Sequence, residues 1–160
     1  MELHKLDTER QVFFYEQDFY VLSNFSAFRL HWRRMDFDTA EHAYHWEKFD
    51  SGHFTGIEVQ RLILLARSAH EAFKIAQEHK SCQRGGWDAA KLNVMSNILR
   101  AKAQQHEYVR RKLLTTGDRE LVEDSWRDDF WGWGPSRDGQ NMLGKLWMEI
   151  RTELRAAEAA

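Results

Sequence analysis

Thr39-Ala40-Glu41-His42-Ala43-Tyr44-His45-Trp46-Glu47-Lys48-Phe49 is the stretch on which the fold turns. Thr39 is suited to N-cap a helix that runs to about Phe49. At ~100° per residue, Glu41, Tyr44, His45 and Lys48 fall on one face. A carboxylate, a phenol, an imidazole and an ammonium in one stripe make either a solvated surface or one wall of a polar site. Apolar residues do not own the opposite face, where Trp46 and His42 stand with Ala43 and Asp50, so periodicity leaves both readings open.

Glu41 sits in the first turn, where free N–H groups and the helix dipole favour negative charge. An ionised carboxylate near neutral pH is therefore expected there, able to stabilise a developing cation or activate water. Lys48 lies two turns along, about 10 Å in rise, placed to hold the other end of one ligand. Glu41-His42-x-x-His45 is not a zinc-protease helix, which needs two His at i, i+4 bracketing the Glu. No metal is expected, and no P-loop, Gly-x-Ser-x-Gly or dinucleotide fingerprint is present.

Upstream of this helix the first 38 residues read as irregular β structure. Val12–Tyr15 and Phe28–Trp32 have strand-like β-branched and aromatic content, and Met35–Phe37 adds a short hairpin arm. Downstream, helices dominate. Thr55 is expected to cap one carrying Ile57, Leu62, Ile63 and Leu65, and Ser68 a third ending near His79. Gly85-Gly86 breaks the chain before a long helix from Trp87 to about Ala103, and a shorter one covers roughly Glu107 to Leu114. In the long helix Lys91 sits within an apolar arc, either snorkelling or pointing its charge into a pocket. Leu121–Glu123 reads as a strand. Asn141 is expected to cap the last helix, whose apolar stripe is Leu143, Leu146, Trp147, Ile150 and Leu154. Between them, residues 128–141 hold three glycines, a proline and two tryptophans. Those rings either fold back as a lid or stack on a ligand.

The expected architecture is thus α+β and helix-rich, one domain over 1–160 with a core of about 12–156 and a small β element packed on a helical body. At 160 residues, a chain buries roughly 70% of its unfolded surface and needs no staple. Hydrophobic residues at 42% and charged ones at 30% are globular values that argue against disorder. The net charge of −2 lacks the basic excess of a non-specific nucleic-acid binder. Cys82 is the only cysteine, which fits a reducing compartment. Met1–Lys5 is charged, without the apolar stretch of a signal peptide, and the longest apolar run, Leu62–Ala66, is too short for the ~20 residues a bilayer needs. No membrane association and a cytoplasmic location are expected.

Several segments together resemble the NADAR (YbiA-like) family. They are Leu22-Ser23-Asn24-Phe25, Thr39-Ala40-Glu41-His42 leading to Lys48-Phe49, and Trp87-x-x-x-Lys91-x-x-x-Met95. Asp128-x-x-Trp131-Gly132 and Gly139-x-Asn141-x-Leu143-Gly144, running into Met148-x-Ile150-Arg151, complete the set. The resemblance covers about Phe14 to Arg151. It implies a single α+β domain and an N-glycosidase acting on ribosyl substrates. One branch hydrolyses phosphoribosylamino-pyrimidine intermediates of riboflavin synthesis; another removes ADP-ribose from modified guanine bases. The first is the expected substrate, with the second, or a non-catalytic ADP-ribose or nucleotide-binding module, as alternatives. Nucleic acid would then be a partner only when ADP-ribosylated. No cofactor is implied.

The resemblance carries Asn24, Glu41, Lys48, Trp87, Asp128, Trp131 and Asn141 over as site residues, with Lys91 helping Lys48. Glu41 and Asp128 are the expected catalytic carboxylates. Trp87 and Trp131 are expected to hold the base or sugar edge, Lys48 and Lys91 the phosphate, and Asn24 and Asn141 the hydroxyls or base edge. Two departures are expected to reshape the pocket: Trp46, where a small or polar residue is expected, and the Trp-Gly-Pro-Ser-Arg-Asp-Gly loop in place of a lysine-bearing glycine run.

Overall fold

The computed structural model describes residues 7–15, 20–50 and 52–160. The chain is α+β and helix-rich, and it divides into two compact units, residues 24–105 and residues 1–23 with 106–160.

The unit of residues 24–105 is organised round one helix. β2 (Leu30–Trp32) and β3 (Met35–Phe37) form an antiparallel hairpin, Leu30 opposite Phe37 and Trp32 opposite Met35. Its two-residue turn puts Arg33 and Arg34 at φ 51° and 66°, the left-handed pair that matches strand twist. α1 (Ala40–Glu47) follows, then α2 (Phe54–Leu64), α3 (Ala69–Glu78) and α4 (Trp87–Gln105). Thr39 caps α1 as expected, its hydroxyl accepting from the His42 N–H, and Ser68 caps α3 by accepting from the Glu71 N–H. Thr55 does not cap α2. The Asp50 carboxylate takes the Gly52 N–H and turns the chain early, so the helix starts from His53, which makes no side-chain cap. Phe49, Val59, Ile63, Ala66, Ala72 and Ala76 form a core between α1, α2 and α3, with Trp46 and Ile75 against it. Trp46 also meets the Phe37 ring edge-on at 5.7 Å, so this large residue serves packing.

Lys102, late in α4, is wholly buried. Its ammonium donates to the Ser26 hydroxyl at 2.8 Å and lies 5.3 Å from the Phe28 ring centre. Burial pushes its pKa down from 10.5 to about 7. A lysine with a depressed folded pKa binds fewer protons folded than unfolded between about 7 and 10.5, so stability rises with pH across that window. The slope contributed is at most about 1.4 kcal/mol per pH unit. We expect the parent to gain melting temperature relative to Lys102→Met between pH 7 and 10. A constant difference between the two melting curves would show that this ammonium carries no such penalty.

The other unit holds β1 (Gln11–Phe14) and β4 (Glu120–Glu123), paired in parallel with Val12 opposite Leu121 and Phe14 opposite Glu123. The opening strands therefore do not make one β element: β1 pairs with β4, while β2 and β3 pair with each other. A parallel pair needs a long crossover, and here it spans most of the chain. α5 (Glu107–Thr115) and α6 (Met142–Ala159) complete this unit. α6 packs on β4 through Leu143, Leu146, Trp147 and Ile150, all buried, and the Trp147 indole N–H donates to the Leu22 carbonyl at 2.9 Å. No described helix is long and apolar enough to cross a membrane.

Candidate active site

α1 is polar in composition yet buried almost all round, with Glu41, His42, His45 and Glu47 each below a tenth exposed. Buried polar groups are costly unless hydrogen-bonded, so their partners separate structural from functional ones. Glu47 is satisfied: one oxygen accepts from the Trp32 indole at 2.7 Å and the Arg33 guanidinium at 2.8 Å, tying the hairpin to α1. His42 is satisfied too. Its Nε2 donates to the Ala66 carbonyl at 3.0 Å, which leaves Nδ1 to accept the Thr39 hydroxyl at 2.7 Å.

Glu41 and His45 differ. Glu41 Oε1 lies 2.6 Å from His45 Nε2, one turn along. His45 Nδ1 is buried and has no hydrogen-bond partner among the described residues. Desolvation lowers the His45 pKa below its ordinary value, opposed by the Glu41 charge and hydrogen bond and aided by Lys48 and His42. The ring therefore faces Glu41 as a neutral N–H donor. The solvated reading of the stripe is thus excluded: its members are buried or half-buried, and one carboxylate–imidazole pair among them is left half-satisfied.

Aromatic and cationic groups continue the wall. The Tyr44 ring lies 5.3 Å from Trp87, which opens α4 and is 6% exposed. Lys48 Nζ stands 5.1 Å over Tyr44, and the Arg84 guanidinium 5.4 Å over Trp87. The Arg84 N–H donates to the Lys48 carbonyl at 2.8 Å, which holds the two cations on neighbouring backbone. Arg84 Nε is buried with no hydrogen-bond partner among the described residues. Asn24 enters from the loop before β2. Its backbone carbonyl takes the first-turn N–H of Glu41 at 3.0 Å, its Nδ2 reaches Met95 Sδ at 3.3 Å, and its Oδ1 is a buried acceptor with no hydrogen-bond partner among the described residues.

Asn24, Glu41, Lys48 and Trp87 are thus gathered in one unit. Lys91 belongs to the same unit, one turn after Trp87, and meets Asp88 at 3.7 Å with its side chain a quarter exposed. Arg84 was not singled out by sequence reading: it sits in Gln83-Arg84-Gly85-Gly86, where the glycines mark only a break. A depression of about 410 Å³ lies on another face of α1, lined by Phe25, Arg29, Asp38, Thr39, His42 and Arg67. Its buried polar atoms, on Thr39 and His42, already bond to each other and to Ala66, so they offer a ligand little.

Asp128, Trp131 and Asn141 lie in the other unit. Asp128 Oδ1 accepts from the Phe130 and Trp131 N–H groups at 2.9 and 2.7 Å, fixing the start of the glycine-rich loop. The Trp131 ring is half-buried and edge-on to Phe130 at 4.8 Å. Trp133 folds back on Phe13 at 4.8 Å and donates its indole N–H to Asp124 at 2.8 Å. Asn141 stands at the N-cap position of α6 in a left-handed conformation, but its side chain does not cap the helix. The amide is turned to β4 instead, accepting from the Glu123 N–H at 2.9 Å and donating to the Leu121 carbonyl at 2.8 Å.

Residues 13–155 match the NADAR domain. The chain is 35% identical over 146 residues to an N-glycosidase of Nostoc punctiforme, covering 90% of this chain and 92% of that one. It is also 35% identical over 149 residues to a riboflavin biosynthesis protein of Vibrio vulnificus, covering 92% of this chain but only 39% of that longer protein. In structure it is similar to the Escherichia coli protein YbiA solved by NMR, with a TM-score of 0.83 at 29% identity, over 96% of this chain and 90% of that one. A match of that extent, through the segments that carry Asn24, Glu41, Lys48 and Trp87, places the chain in the NADAR family.

Proposed function

We propose that this chain is an N-glycosidase that hydrolyses a ribosyl C–N bond, with phosphoribosylamino-pyrimidine intermediates of riboflavin synthesis as its substrate. The observation that carries the reading is the buried Glu41 carboxylate, held by one neutral donor on a wall that also presents Tyr44, Trp87, Lys48 and Arg84. The names of its relatives, an N-glycosidase and a riboflavin biosynthesis protein, support it.

Cleavage of a ribosyl C–N bond passes through an oxocarbenium-like state with positive charge at C1′. Glu41 stabilises that charge and positions the attacking water. Water's oxygen bonds to C1′ and gives up a proton, the C–N electron pair leaves with the amine nitrogen, and that nitrogen takes up a proton, so the step is proton-neutral overall. Preorganised charge in a dry site costs no reorganisation at the moment of reaction. The Tyr44 and Trp87 rings provide an apolar wall for the base or sugar, and Asn24 Oδ1 an acceptor for a hydroxyl or ring N–H. Lys48 and Arg84 meet the phosphate, with Lys91 as a further positive charge.

The test presents purified protein with the phosphoribosylamino-pyrimidine, its dephosphorylated form and an ADP-ribosylated guanine nucleotide in parallel. We expect turnover of the first, with KM for the dephosphorylated form raised at least tenfold. Turnover of the guanine adduct alone would make the chain an ADP-ribose eraser. Binding of all three without turnover would make it a recognition module. Lys48→Ala and Arg84→Ala should each raise KM for the phosphorylated substrate by about 10- to 100-fold while changing kcat far less, the equivalent of one charge-assisted contact. Equal KM for parent and both variants would remove these cations from the site.

A further inference from the structure

We infer that His45 is a positioning residue for this reaction: its neutral imidazole fixes Glu41 Oε1 in one place without neutralising the carboxylate's charge. The inference rests on Glu41 acting as proposed above.

A glutamate side chain turns about three bonds, and a carboxylate that must sit close to C1′ works only if that freedom is removed. The only hydrogen bond to the Glu41 carboxylate among the described residues comes from His45, at 2.6 Å. His45 is itself clamped. Its ring is 2% exposed and meets Tyr44 edge-on at 5.3 Å and Phe73 of α3 edge-on at 5.6 Å. An arginine or lysine in its place would hold the carboxylate as firmly, but would also cancel the charge that the oxocarbenium needs.

The surroundings keep this donor uncharged. A second proton would sit on Nδ1, which is buried, has no hydrogen-bond partner among the described residues and lies in a ring bounded by Tyr44 and Phe73. The titratable groups that act on His45 are Glu41, which favours the imidazolium, and Lys48 and His42, which oppose it together with burial. His70 stands behind, stacked on the far neighbour Phe73 at 6.4 Å. Glu47 on the same helix shows the contrast: one of its oxygens takes an indole N–H and a guanidinium, so its charge is compensated and it serves the fold.

The test compares kcat and KM for the phosphoribosylamino-pyrimidine in the parent and in His45→Gln, His45→Phe, His45→Leu and Glu41→Gln. Gln keeps a neutral N–H donor at i+4 to Glu41, whereas Phe and Leu fill the aromatic surroundings but donate nothing. We expect His45→Phe and His45→Leu to lose about 10- to 100-fold in kcat per folded molecule, one charge-assisted hydrogen bond, with KM within threefold and a modestly lower melting temperature as Glu41 loses its donor. We expect His45→Gln to stay within about threefold of the parent. A merely structural role lowers the melting temperature as well but predicts that kcat per folded molecule holds. Phe and Leu variants that keep kcat, or a Gln variant as impaired as they are, would overturn the inference. If Glu41→Gln is inactive while His45→Phe is not, this inference alone falls; if Glu41→Gln keeps activity, the reading it rests on falls.

Discussion

Glu41→Gln should lower kcat by on the order of 10³-fold or more while leaving the fold intact, because it removes one charge and almost no volume. The Gln carbonyl can still accept the His45 Nε2 hydrogen now held at 2.6 Å, so the wall of Tyr44, Trp87 and His45 keeps its geometry. What is lost, on the proposed mechanism, is the negative charge opposite C1′. In bulk water that charge would contribute little, but at 8% exposure it acts across poorly screening surroundings. The comparison needs kcat by chromatography of the released pyrimidine and a thermal melt of both proteins. Activity within threefold of the parent, at equal melting temperature, removes Glu41 from the chemistry.

Gly144→Ala should destabilise the protein by about 3 kcal/mol, against the usual sign for such a change. In an exposed helix, replacing Gly with Ala stabilises by roughly 1 kcal/mol. Here a Cβ on residue 144 would fall 2.0 Å from the Leu121 carbonyl oxygen and 2.5 and 2.6 Å from the Asn141 amide atoms. Leu121 is in the β1–β4 ladder and Asn141 is bonded to both Leu121 and Glu123, so neither can move without disturbing the other. Overpacking against backbone costs typically 1–3 kcal/mol and sometimes more. A fall of on the order of 10 °C in melting temperature is expected for a chain of this size. Lys145→Ala, at the exposed neighbouring position, is the control and should shift stability by no more than about 0.5 kcal/mol. A stable Gly144→Ala would mean that α6 does not lie this close to β4.

Local signals were legible where the chemistry is local. Thr39 and Ser68 announce their helices because each side chain caps an N–H three residues on, and Met35–Phe37 forms the expected hairpin arm. The long helix from Trp87 and the apolar stripe of the last helix follow from their patterns. The parallel pairing of β1 with β4 was not legible, since its partners are more than 100 residues apart and no turn residue joins them. The burial of α1 was equally hidden. Its polar residues read equally as a solvated face or a site wall, because the groups that satisfy them, Arg33, Trp32 and the Ala66 carbonyl, come from other elements. In the sequence Glu41 stands apart from Glu47 by its first-turn position and by resemblance. The structure adds a difference the sequence does not carry: Glu47 has a compensating cation, and Glu41 has a neutral donor.

The most direct measurement is the identity of the products when the purified protein turns over the phosphoribosylamino-pyrimidine, read by mass spectrometry with both products quantified. Hydrolysis at C1′ predicts pentose phosphate and free pyrimidine in equal amounts, the pyrimidine keeping the amino nitrogen through which the sugar was attached. A pyrimidine that has lost that nitrogen, or substrate recovered whole from a protein that binds it, would contradict the account.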